Sequence, residues 1–189
     1  MPALGYSDIV ENMLDHPKIK LRLCTDFAPY ETADWYHVFW TGRLDGFFDF
    51  AYGQLGYRTT DFVADRRTGD FQGCAVMNHP DEDVDFVRST EFKYLTPWET
   101  HTDTIIYREY PRECGAFDEP MYPIRAPNDM RRFAAYSAEA QTRQDVTFVG
   151  RLGTYRYLDM DDTIREALDL SSNILSGQPT PTFSVPMLQ

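Results

Sequence analysis

Residues 146–168 gather the side chains best suited to gripping a phosphorylated ligand. The run Val146-Thr147-Phe148-Val149 ends in Gly150. A glycine-bearing turn follows that carries Arg151, Tyr155, Arg156 and Tyr157. Asp159, Asp161 and Asp162 then crowd the start of an amphipathic helix whose Ile164, Ala167, Leu168, Ser171 and Leu175 share one face. Free N–H groups and the helix dipole attract anions at such a start. Arginine adds a planar fork that matches phosphate. The acids could accept hydroxyl or ring N–H donors of the same ligand. A structural reading stands beside this one. Arg151 could pair with Asp159 or Asp161, and aspartate favours helix starts for capping alone.

Three further residues could do chemistry. Period-2 alternation places Phe86, Arg88, Thr90, Phe92 and Tyr94 on one strand face and Val87, Ser89, Glu91 and Lys93 on the other. A guanidinium on an aromatic face needs an anion, either a structural carboxylate or a ligand phosphate. Tyr122 lies between Pro120 and Pro123, which fix the backbone and pre-set the phenol. It reads equally as a core or rim tyrosine. Asn78 closes a short apolar run before His79-Pro80, where an asparagine also serves as a turn residue.

The elements that must position these residues follow from pattern. Helices are expected over 6–16, 130–142 and 160–175, the second with Phe133, Ala134, Tyr136 and Ala140 inward. Strands are expected over 19–23, 37–40, 55–63, 74–77 (buried), 86–94, 104–110 and 146–149. Strands in succession with few helices imply an α+β fold: an antiparallel sheet with flanking helices. The strand-turn-helix of 146–176 reads instead as a piece of a parallel sheet, and residues 177–189, with three prolines, as a loose tail. The expectation is a single domain over 1–189.

Bulk properties narrow the function. A chain of 189 residues with 42% hydrophobic and 15% aromatic residues suits a folded domain. A net charge of −12 argues against a nucleic-acid surface and requires a local positive pocket for an anionic ligand, with Arg88, Arg151 and Arg156 as candidates. Cys24, Cys74 and Cys114 are odd in number and far apart, which fits reduced thiols and a cytoplasmic protein. His16, His37, His79 and His101 lie in unrelated contexts, so no metal site is expected. No signal peptide and no membrane span are expected.

The stretch Gly150-Arg151-Leu152-Gly153-Thr154-Tyr155-Arg156-Tyr157-Leu158-Asp159-Met160-Asp161 resembles the C-terminal signature of bacterial UDP-galactopyranose mutases. Segments 52–58 (YGQLGYR), 71–78 (FQGCAVMN), 96–99 (TPWE), 107–110 (YREY) and 122–125 (YPIR) follow in the family's order. The likeness spans nearly the whole chain. The family's Gly-x-Gly-x-x-Gly turn and mobile lid have no counterpart in these residues, so the resemblance implies the C-terminal, substrate-binding half. It implies interconversion of UDP-galactopyranose and UDP-galactofuranose through a reduced-flavin adduct. It further implies that Asn78, Arg88, Tyr122 and Tyr157 bind the nucleotide-sugar, and that Arg151 with Leu158, Asp159, Met160, Asp161, Asp162 and Thr163 faces FAD. For Arg88 it puts the ligand phosphate ahead of the structural carboxylate. No side chain of this chain is implied as nucleophile or base. Met121 and Arg43 depart from the family's usual tyrosine and proline. The alternatives are a non-catalytic nucleotide-sugar-binding or interaction domain, or one half of a split mutase; a separate flavin domain or a second copy in a homodimer is the expected partner. The strand Val146–Val149 is expected to expose an edge.

Overall fold

The computed structural model describes residues 2–28, 34–115 and 118–184. Its elements in chain order are α1 (Gly5–Leu14), β1 (Val38–Trp40), α2 (Leu44–Phe47), β2 (Tyr57–Thr68), β3 (Val76–Asn78), β4 (Arg88–Glu91), β5 (Asp103–Glu113), β6 (Tyr122–Pro123), α3 (Pro127–Ala140), β7 (Val146–Phe148), α4 (Gly150–Gly153) and α5 (Met160–Leu175). The fold is α+β. A five-stranded sheet runs in the order β3-β4-β5-β2-β6, and β1 pairs with β7 in a separate two-stranded parallel sheet. The chain forms two compact units: residues 1–25 with 60–112, and residues 26–59 with 113–189.

The first unit is built on β3, β4, β5 and most of β2. Here β4 lies antiparallel to β3 on one side and to β5 on the other. Its interior is unusually polar. Among the described residues, Ile106 is its one fully buried large hydrophobic, beside buried Ser89, Thr90, Glu91 and Thr104. Glu91 explains why this interior is tolerated. Its carboxylate accepts the backbone N–H groups of Phe71 (3.1 Å), Gln72 (2.8 Å) and Gly73 (3.2 Å). Burial opposes its ionisation, but the N–H groups of Gln72, Phe71 and Gly73 outweigh that and hold its carboxyl below the usual carboxylate range. Gln72, pinned by this contact, donates its side-chain amide to Cys74 O and Ser89 O and accepts from the Ser89 hydroxyl.

The second unit holds the apolar core. Leu44, Phe47, Leu55, Tyr57, Phe133, Tyr136, Ala140, Val146, Phe148, Tyr155 and Phe183 pack together. The helix α3 contributes Phe133, Tyr136 and Ala140 at helical spacing, with Pro127 at its first turn. Buried Asp45 is held by the Arg43 guanidinium at 3.0 and 2.6 Å and accepts Leu55 N–H at 2.8 Å. The departure at Arg43 thus secures the turn before α2. Tyr155 adopts a left-handed backbone (φ 50°) and is fully buried. Its hydroxyl lies 2.6 Å from Ile124 O and 2.8 Å from Gly56 O. At Gly153 a Cβ would meet Trp40 O at 2.7 Å, so only glycine lets α4 approach β1 this closely.

Several expectations need correction. Residues 19–23 form no strand, and Ile19, Leu21 and Leu23 are exposed, because alternation supplies no hydrogen-bonding partner. The run 86–94 is a strand only over Arg88–Glu91; a 3-10 turn over Phe92–Leu95 breaks the alternation. The strand β3 is exposed rather than buried, since it is the sheet's edge. Ala134 faces outward. The strand β7 is covered on both sides at Phe148. It pairs with β1, and on its other side Phe148 N–H donates to Thr182 O and Ser184 N–H to Phe148 O, with Phe183 buried. The tail over 182–184 is therefore anchored; residues 185–189 lie outside the described residues. No helix of the described residues is long and apolar enough to cross a membrane.

Candidate functional site

Each unit carries one cluster of the residues singled out above. In the first unit, Asn78, Arg88 and Glu109 face one another directly across β3, β4 and β5. Directly opposed residues project from the same sheet face, so the three form a polar row. Arg88 Nε donates to Asn78 Oδ1 at 3.2 Å, and Nη1 stands 3.7 Å from Glu109 Oε1. The Arg88 side chain is 46% exposed, not buried among aromatics as alternation suggested. The break after Glu91 is the reason: Phe92 leaves the strand and no longer shares its face. The guanidinium thus has one hydrogen bond and one long ion pair, with donors turned to solvent. Beneath the row, His79 Nε2 meets Ser89 Oγ at 3.0 Å, and Ser89 connects to Gln72. Glu109 escaped notice in the sequence. Only the register across β4 and β5 places it beside Arg88.

In the second unit, Tyr122 and Tyr157 stack with ring centroids 5.7 Å apart and planes 14° apart. The Arg151 guanidinium lies over both rings, 5.4 Å from Tyr122 and 4.7 Å from Tyr157. Its hydrogen bonds go to main-chain carbonyls. Nε and Nη2 donate to Leu158 O, the former at 3.0 Å, and Nη1 donates to Met121 O at 3.0 Å. It does not pair with Asp159 or Asp161, as the structural reading had it. Arg156 behaves otherwise. It is committed to Glu166 of α5 through a two-point ion pair at 2.9 and 2.6 Å, and so braces the helix rather than a ligand.

The start of α5 carries the remaining residues. Leu158 is buried, Thr163 half-buried, and Asp159, Met160, Asp161 and Asp162 are exposed. Asp159 sits at the N-cap position but makes no side-chain capping bond. The first-turn N–H groups thus receive no side-chain cap from Asp159 at the positive end of a 16-residue helix. The helix face bearing Ile164, Leu168 and Leu175 is exposed, Leu168 at 64% and Leu175 at 88%. Leu170 is the helix's buried residue. A groove of about 470 Å³ in this unit runs beside α5, with Phe39, Val149, Ala167, Leu170 and Ile174 among its lining residues. It is almost wholly apolar and excludes Tyr122, Tyr157 and Arg151, so it suits packing better than phosphate binding.

Comparison with known proteins gives a consistent picture. A family model described as UDP-galactopyranose mutase matches residues 1–157. A probable UDP-galactopyranose mutase of Klebsiella pneumoniae is 48% identical over 191 residues, covering 99% of this chain and 50% of its own length. A dTDP-fucopyranose mutase of Escherichia coli is 42% identical over 176 residues, covering 89% of this chain and 47% of its own. A UDP-galactopyranose mutase of Mycoplasma pneumoniae is 31% identical, covering 93% and 48%. The crystal structure of a reduced UDP-galactopyranose mutase superposes with a TM-score of 0.59 at 13% identity, over 75% of this chain and 42% of that one. At that identity the likeness concerns the fold. The chain spans about half the length of the curated relatives it matches.

Proposed function

Because the chain belongs to the UDP-galactopyranose mutase family, we propose that it takes part in interconverting UDP-galactopyranose and UDP-galactofuranose. Asn78 and Arg88 of the first unit and Tyr122 and Tyr157 of the second are the proposed nucleotide-sugar residues. The stacked phenols carry the reading. Tyr157 is 60% exposed, yet it is held parallel to a tyrosine 35 positions earlier in the chain, under a cation that makes no carboxylate hydrogen bond. An exposed aromatic pair beside positive charge is a platform for an anionic ligand with hydrogen-bonding groups. Arg88, half-exposed and with spare donors, supplies a planar fork for a phosphate.

FAD in its reduced form supplies, when bound, the electron pair for the sugar step. The residues present fit such a group. The N–H groups at the start of α5, uncapped by Asp159, and the two Arg151 N–H groups left after its three hydrogen bonds can take anionic or carbonyl oxygens. Leu158 through Thr163 line this end. The chain's own contribution is to bind, orient and balance charge. The fucose-nucleotide relative makes dTDP an informative competitor of UDP.

Calorimetry of UDP against the wild type and Arg88→Ala tests this. Losing a charge-assisted phosphate contact costs roughly 1.5–3 kcal/mol, or about 10- to 150-fold in affinity. Because the Arg88 side chain is half-exposed, the variant is expected to fold. Equal UDP affinity for the two proteins refutes the assignment. A second reading, one half of a split mutase, is favoured by the half-length match together with the apolar groove and the bare face of α5. In it a flavin-bearing half, on the same or another polypeptide, covers residues 160–175.

A further inference from the structure

We infer that Arg151 is the positioning residue that sets the Tyr122–Tyr157 pair, and so belongs to the substrate cluster as well as to the cofactor-facing group. Its functional consequence rests on the reading above. Arg151 reaches two segments far apart in sequence. One carbonyl it binds belongs to Met121, directly before Tyr122; the other belongs to Leu158, directly after Tyr157. A single rigid, planar group therefore fixes the main chain beside both phenols. Its central carbon lies over both rings, at 5.4 and 4.7 Å, and the rings lie within 14° of parallel. Only arginine combines a fork that spans two carbonyls with a flat face that stacks on aromatics; lysine offers a point charge and neither feature. Because its acceptors are neutral carbonyls, its charge remains available to an anion held by the two hydroxyls.

The test compares the wild type with Arg151→Met, Arg151→Lys and Tyr157→Phe, by NMR and by UDP titration. The wild type is expected to show a nuclear Overhauser contact between the two tyrosine rings. In Arg151→Met and Arg151→Lys that contact is lost while the amide spectrum of the core is kept, and UDP binding weakens about tenfold or more. If Arg151→Met does not fold, Arg151→Lys decides alone. A ring contact that persists in the folded Arg151 variants overturns the proposal, as does its absence from the wild type. A wild type that shows the ring contact, loses it in Arg151→Lys and yet ignores UDP upholds the positioning role and sinks the nucleotide-sugar reading. Tyr157→Phe separates the two further. With Arg151 intact it should keep the stack and weaken UDP; undiminished UDP affinity there counts against the phenol as a ligand group, not against the clamp.

Discussion

Replacing Glu91 with glutamine should unpin the loop before β3. The carboxylate is fully buried and takes three backbone N–H groups, two on Oε2 and one on Oε1. An amide has one accepting oxygen. If that oxygen keeps Gln72 and Gly73, its NH2 group faces the Phe71 N–H at 3.1 Å, and two donors confront each other without water. A buried unsatisfied donor costs about 1–3 kcal/mol, and hydrogen bonds to charged groups contribute about 1.5–3 kcal/mol each. Relief from burying a charge offsets part of this. The expected loss is roughly 2–4 kcal/mol near neutral pH. This is severe for a unit with so little apolar interior. The pH dependence has a definite sign. The folded-state pKa lies below the ordinary 4.5, so the stabilisation is fully present above that value and is lost as pH falls through the depressed folded value. Urea unfolding of wild type and Glu91→Gln, from neutral to acid pH, should show a gap that narrows below 4.5. Equal midpoints at neutral pH, or a gap unchanged into acid, would refute this account of the Glu91 cradle.

Tyr155→Phe removes the hydroxyl lying between Ile124 O and Gly56 O and should cost roughly 1–3 kcal/mol, read as a lower Tm; an unchanged Tm contradicts it. The purified chain should carry little or no FAD after gel filtration, because its sequence has no Gly-x-Gly-x-x-Gly turn for the pyrophosphate; a stoichiometric absorbance near about 450 nm would show another cofactor site. The exposed Ile164, Leu168 and Leu175 face should drive self-association at high concentration, relieved by Leu168→Glu. A wild type that scatters as a monomer throughout counts against that surface.

Much of the secondary structure was legible because its signals are local. The helices α1, α3 and α5 lie close to where apolar spacing places them, α5 at its expected bounds and α3 starting three residues earlier than expected, at Pro127. Local signals failed where pairing decides. Residues 19–23 alternate as cleanly as a strand but form none. Alternation over 86–94 implies a continuous strand with Arg88 buried, whereas the chain turns at Phe92. The edge of β7 was expected to be open. Phe183, 35 residues further on, closes it, and nothing in a proline-bearing tail announces that.

The order of motifs was enough to indicate the family, because it is carried by short contiguous segments. What those residues touch depended on the path of the chain. The facing of Glu109 and Arg88 comes from register across β4 and β5. The grip of Arg151 on Met121, 30 positions away, comes from β6 lying beside α4's turn, which makes it a clamp on two carbonyls rather than the alternative helix-start ion pair. Residue type sets which interactions a side chain can make. Only the folded backbone sets which partner arrives within 3 Å of it, because hydrogen bonds and ring contacts fall away within a fraction of a residue's length.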